Sequence, residues 1–197
     1  MNKNNMSARD CILSKVRSGK PEAVALPDVP LYKTAGDAKA NFKSRLESFD
    51  GRWHEFGSRA EAVAWLGANI DRGSKKVCSS LPDYKGTLSP CDITDPHDAH
   101  TLDITVAEGI LGVGETGSVY VTDRSLGLAA AALLAPDLYL LLDSSEIVDG
   151  IHTAYDRIRL RDSQYGSFFT GPSATADIEA IHITGAQGPV SLTVLLY

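Results

Sequence analysis

The chain has 197 residues, 43% of them hydrophobic and 22% charged, which is enough apolar material for one α/β domain with a real core. Its formal charge of −6 is unevenly spread: residues 1–51 carry nine Lys or Arg against six Asp or Glu, residues 101–197 carry four against twelve, and no Lys follows Lys85. An acidic second half with 7% aromatic residues and no aromatic–basic interleaving disfavours a nucleic-acid partner, and no apolar run approaches the roughly 18–20 residues that span a bilayer.

The opening MNKNNMSARD lacks the apolar stretch of a secretory signal, so a cytoplasmic location is expected. Residues 7–18 predict a short first helix, with Ser7 as cap and Cys11, Ile12 and Val16 at helical spacing, and residues 19–21 stop it. Pro21, Pro27 and Pro30 then space an extended arm. A second helix is expected over 37–49, with Asp37 as cap and Phe42, Leu46 and Phe49 on its apolar side; Asp50 and Gly51 turn it into a strand at 53–56. From there strands and helices alternate. A helix over 58–70 carries Ser58 and Glu61 at capping-box spacing, and a strand at 76–80 follows it. After a polar loop over 81–98, strands are expected at 102–106 and 118–123, a helix at 126–134, and a continuous apolar strand at 138–142 suited to the middle of a sheet covered on both faces. The remaining expectations are a helix at 146–160, a strand at 168–170, a helix at 175–183 and a last strand at 190–196. This rhythm implies an α/β fold with a mostly parallel central sheet flanked by helices, built from 52–197 behind N-terminal helices and an arm in 1–51.

Two runs carry the chemistry. In AEGILGVGETGSVYV, residues 107–121, glycines at 112, 114 and 117 permit a tight connection and close backbone approach, while Glu115, Thr116 and Ser118 supply a carboxylate and two hydroxyls. It is no Walker loop, because no Gly-Lys-Ser/Thr follows, and no dinucleotide fingerprint, because a strand follows it. The same residues also suit an ordinary glycine-rich turn. In GPSATADIE, residues 171–179, Ser173 or Thr175 can cap a helix whose first turn holds Asp177 and Glu179, and such a helix start can bind an anion such as a carboxylate. Capping alone also accounts for them.

Other clusters carry less. His97 and His100 beside Asp92, Asp95 and Asp98 fix no third ligand by spacing, so no metal is assigned to the chain. His152 and His182 read as structural, and no G-x-S-x-G elbow is present. Cys11, Cys78 and Cys91 are an odd number without a C-x-x-C pair, so neither a disulfide framework nor a self-contained zinc or iron–sulfur site is expected.

With both runs placed, the chain resembles the lactate utilization protein C family, built on the LUD domain. The resemblance rests on Ala107, Glu108, Gly109 and Ile110, on residues 114–119, on 133–136, on Ile147 and Val148, on 170–179, and on the GAQGP element at 185–189, in family order. It implies a fold like that of glucosamine-phosphate and ribose-phosphate isomerases and CoA transferases. It also implies a role in oxidising L-lactate to pyruvate, with no cofactor on this chain and iron–sulfur clusters on partner proteins. Where the family usually has Arg this chain has Ala174, and where it has His in the Gly-x-His-Gly-Pro element this chain has Gln187. Both residue types matter chemically: Arg grips a carboxylate bidentately and His moves protons near neutral pH.

The expected site therefore pairs Glu115, as the catalytic candidate, with ligand-binding Gly114, Thr116, Gly117 and Ser118 on one loop. Gly171, Pro172, Ser173, Thr175 and Asp177, joined by Gln187 and Gly188, face them across a shared crevice for a small carboxylate. Alternatives are an independent isomerase or acyl-transfer enzyme, with Glu115 as base or nucleophile, and a carboxylate sensor without chemistry.

Overall fold

The computed structural model of the protein describes residues 7–28, 30, 34–159, 161–177 and 179–197. Two compact units are present, residues 1–31 and 32–197. In the first, α1 (Ala8–Ser18) starts where Ser7 Oγ accepts from the Asp10 amide and ends at Gly19, and it buries none of its side chains. No helix or strand follows among the described residues of the arm, and Leu26 there is 93% exposed.

Every strand among the described residues lies in the second unit. Helix α2 (Ala38–Ser48) begins at Asp37, whose carboxylate accepts from the Ala40 amide at 2.8 Å, and buries Phe42 and Leu46. Strand β1 (Arg52–Glu55), helix α3 (Arg59–Asn69) and strand β2 (Val77–Ser79) come next. Ser58 caps α3 by accepting from the Glu61 amide, and Glu61 answers by accepting from the Gly57 amide at 3.0 Å. Strands β3 (Ile104–Glu108), β6 (Asp137–Leu142) and β11 (Ser191–Leu196) complete a five-stranded sheet in the order β1-β11-β6-β3-β2, parallel throughout. Its centre is the leucine-rich β6, as expected of a run with so little alternation. Leu138, Leu140 and Leu142 pack with Phe42 and Leu46 of α2, whereas Leu141 packs with Ala62 and Leu66 of α3 on the opposite face.

Between β3 and β6 the chain departs to build part of a second sheet. Strands β4 (Leu111–Val113), β5 (Ser118–Thr122), β7 (Ile147–Val148) and β8 (Gly166–Phe169) lie in the order β7-β4-β5-β8. The GETG residues are the turn of the β4–β5 hairpin, closed by the Gly117 amide donating to the Val113 carbonyl at 2.8 Å. One face of β5, through Val119 and Val121, joins the α2 core; Tyr120 on the other face packs with Val148 and with Ala154 of helix α6 (Ile151–Arg157).

Several helical expectations give way to shorter elements. The helix expected over 126–134 breaks at Gly127, at φ 70°, into α4 (Asp123–Leu126) and α5 (Ala129–Leu134). The one over 146–160 reduces to α6, because residues 147 and 148 are taken up as β7 beside β4; residue 160 lies outside the described residues. Over 175–183 the described residues form no helix: strands β9 (Ala174–Thr175) and β10 (Ile183–Thr184) form an antiparallel hairpin whose loop places Glu179 and Ala180 at positive φ. Short hydroxyl and acidic residues that start helices also bond to nearby backbone in turns, and here the turn prevails. Residue 178 of that run also lies outside the described residues.

Candidate functional site

The β4–β5 turn and the 170–174 run, 52 residues apart from Ser118 to Thr170, meet in one cleft of about 880 Å³. Its walls include Glu115, Thr116 and Ser118 from the turn, and Thr170, Pro172 and Ala174 from the second run. The contact is direct: the hydroxyls of Ser118 and Thr170 are 2.5 Å apart, and Ser118 Oγ donates to Thr116 Oγ1 at 2.7 Å. Three short hydroxyls thus form a chain along one wall, anchored by the buried Ser118.

Glu115 is tied at both ends. Its amide donates to the Asp149 carbonyl at 2.9 Å, and its Oε2 accepts from the Ile151 amide at 3.0 Å, at the first residue of α6. A carboxylate there complements the positive end of the helix. It also fixes the turn to α6.

The glycines serve a different close approach from the one their pattern suggests. A Cβ at Gly114 would lie 2.7 Å from the Ala38 carbonyl oxygen, one at Gly117 2.8 Å from the Arg45 carbonyl carbon, and one at Gly171 would overlap the Phe49 carbonyl. All three neighbours belong to α2 or its C-terminal cap. The glycines of both runs therefore seat this helix, and Gly117 and Gly171 do so at φ 69° and 63°, where a side chain is strained in any case.

Ser173, Thr175, Asp177, Gln187, Gly188 and the three glycines are not among the residues lining the cleft. The Ser173 amide donates to the Pro189 carbonyl at 2.8 Å and its carbonyl accepts from the Gly185 amide at 2.8 Å, stitching the GPS run to the GAQGP element. Gly188 lies against the Ser173 side chain. Thr175 Oγ1 donates to Asp177 Oδ2 at 2.8 Å within the β9–β10 hairpin, so these two side chains serve the turn. Among the described residues no helix begins here to hold an anion. Gln187 is exposed.

Besides Glu115, the cleft has ionisable side chains that the sequence pattern does not single out. Arg45, near the C-terminal end of α2, lines it, as do Asp50 and His182. Among the described residues the Arg45 guanidinium has no hydrogen bond or ion pair. Arg45 directly precedes buried Leu46, so its place on α2 was legible, but only the packing of Gly117 and Gly171 on that helix brings it beside Ser118. His182 reaches the cleft because the residues expected as a helix are a hairpin.

His97 and His100 are engaged locally, with Asp95 and with the His97 carbonyl, and no group of three His, Cys, Asp or Glu side chains suited to a metal comes together among the described residues. Burial pushes the Cys78 thiol up to about 11, which keeps it protonated and unreactive at neutral pH. No helix among the described residues is long and apolar enough to cross a membrane.

The family model of the LUD domain matches residues 96–197, which include both runs. The chain is 20% identical over 190 residues to the lactate utilization protein C of Deinococcus radiodurans, covering 92% of this chain and 89% of that protein. Its fold is similar to the 1.70 Å crystal structure of a DUF162 family protein from the same organism, with a TM-score of 0.64 and 14% identity over 81% of this chain and 95% of that one.

Proposed function

The chain belongs to the LUD domain family, and from that premise we propose that it is a lactate utilization protein C-like subunit that holds a small 2-hydroxy or 2-oxo carboxylate in the 880 Å³ cleft. The observation that carries this reading is the convergence of the two runs: Thr116, Ser118 and Thr170 line one cleft together with Arg45, whose guanidinium has no hydrogen bond or ion pair among the described residues. A carboxylate satisfies Arg45 bidentately, while a 2-hydroxyl or 2-oxo group exchanges hydrogen bonds with the hydroxyl chain. The name of the D. radiodurans relative favours lactate within that class. In this reading iron–sulfur clusters on partner proteins would take up the two electrons released when lactate becomes pyruvate, the two protons would pass to water, and the present chain binds and orients the acid.

Glu115 has a narrower role in the proposal than that of base or nucleophile. Its Oε2 is engaged at the start of α6, which favours positioning of the turn over covalent chemistry.

Calorimetry with L-lactate, pyruvate and longer 2-hydroxy acids tests the proposal on the wild-type chain, Arg45→Gln and Ala174→Arg. Arg45→Gln should weaken binding by about 1–3 kcal/mol, the scale of a charged hydrogen bond, and Ala174→Arg, which adds a second guanidinium on the same cleft, should strengthen it. No measurable binding of any of these acids to the wild type would remove the reading. A pull-down from native cells with iron analysis tests the partners: capture of iron-free proteins alone would sink that half of it.

A further inference from the structure

A second cleft, of about 570 Å³, opens beside Glu108 at the carboxyl end of β3 and shares no lining residue with the first. Crevices at the carboxyl ends of parallel strands are where open α/β sheets hold ligands. Part of its wall is apolar: Leu111 and Tyr120 are buried there, and Ile110 is left 42% exposed.

Its charge is unusual for this chain. Residues 101–197 contain four cationic side chains, at 124, 157, 159 and 161, and the first three line this cleft. Internal pairing removes part of that charge. Arg157 bonds Glu146 at 3.2 Å, and Glu108 is held by Arg59 at 2.8 Å and by the Tyr197 hydroxyl at 3.0 Å. The guanidiniums of Arg124 and Arg159 have no hydrogen bond or ion pair among the described residues, and the carboxylate left to oppose them in the lining is that of Asp162. A concave wall that is apolar on one side and retains two guanidiniums against one carboxylate suits an amphiphilic anion, because the cations attract its charged end and the apolar wall is withdrawn from water by the rest.

We propose that this cleft is a second binding site, for an organic carboxylate with an aromatic or branched apolar body, its carboxylate held by Arg124 and Arg159 and its body against Ile110 and Tyr120. Such a ligand is larger and less polar than the acid assigned to the first cleft. The two sites flank α6, whose first residue is capped by Glu115 of the first cleft and whose last, Arg157, lines the second.

Titration of the full chain with 1-naphthoate, followed by fluorescence and calorimetry, tests the proposal. The expected result is saturable one-to-one binding that L-lactate does not displace. It should weaken roughly tenfold or more in the double variant Arg124→Gln/Arg159→Gln and in Ile110→Asp, and persist in Arg45→Gln. Because these four positions are exposed, the variants should keep the parent's circular dichroism and melting temperature, so that lost affinity reports the site. Absence of saturable binding, an affinity untouched by the double variant, or a loss seen in Arg45→Gln instead would each overturn it.

Discussion

Gly117 holds φ 69°, and a Cβ there would overlap the backbone of Arg45 and Leu46, so its missing side chain is a packing requirement. Gly117→Ala should destabilise the protein by about 1–3 kcal/mol from backbone strain alone, with displacement of α2 adding to it. Gly67, on the exposed side of α3, has nothing within 4 Å of where a Cβ would lie. Gly67→Ala should therefore stabilise by roughly 0.5–1 kcal/mol through helix propensity. Urea midpoints of the two variants moving in opposite directions would bear this out; equal shifts would show that the β4–β5 turn is roomier than its contacts imply. The same α2 contact places Arg45 in the wall of the cleft that Ser118 and Thr170 also line.

Between elements, α2 is fastened to β1 by charge as well as by packing. Lys39 and Lys43 reach Glu55 at 2.7 and 2.5 Å, and their hydrogen bonds, Lys39's first, hold the Glu55 carboxyl down to about 2 from an ordinary 4.5. A carboxyl depressed in the folded state adds stability above its unfolded pKa and loses it as pH falls through the folded one. This contribution is therefore complete above about pH 4.5 and disappears toward pH 2. Water screens all three side chains, so its size is of order 0.2–1 kcal/mol. Glu55→Gln should flatten the acid limb of the stability profile by that amount, and 1 M salt should do much the same to the wild type. An unchanged slope in Glu55→Gln would mean that the pair contributes nothing to folding.

For the whole molecule, the place of α2 predicts where the chain can be shortened. Phe42 and Leu46 are fully buried in the core shared with β6 and β11, and core truncations of this kind cost about 2–5 kcal/mol each against a total stability of about 5–15. A fragment starting at residue 32 should unfold cooperatively with the midpoint of the parent, whereas one starting at residue 52 should lack a cooperative transition and bind no carboxylate. Cooperative folding of the shorter fragment would show that the two sheets suffice without the helix. The LUD family match begins only at residue 96, so the cleft-lining Arg45 on α2 lies outside the segment that identifies the family.

The sequence by itself determined the parallel sheet and its centre. An almost unbroken leucine strand has no wet face, and Ser58 and Asp37 announce their helices through side-chain chemistry that acts within three residues. It also marked both runs that line the first cleft, because glycine and small hydroxyl residues concentrate where backbone must pass close. What the backbone passes close to was not legible: a glycine looks the same against a ligand and against Ala38, Arg45 or Phe49. Residues 173–179 were equally ambiguous, since a hydroxyl followed by acids caps a helix or closes a turn with the same hydrogen bonds, and pairing with 183 and 184 selects the turn. Arg45 and the three arginines that line the second cleft carry no local signature at all. Long-range packing decides which charges share a concave wall, and that is a property of the tertiary structure alone.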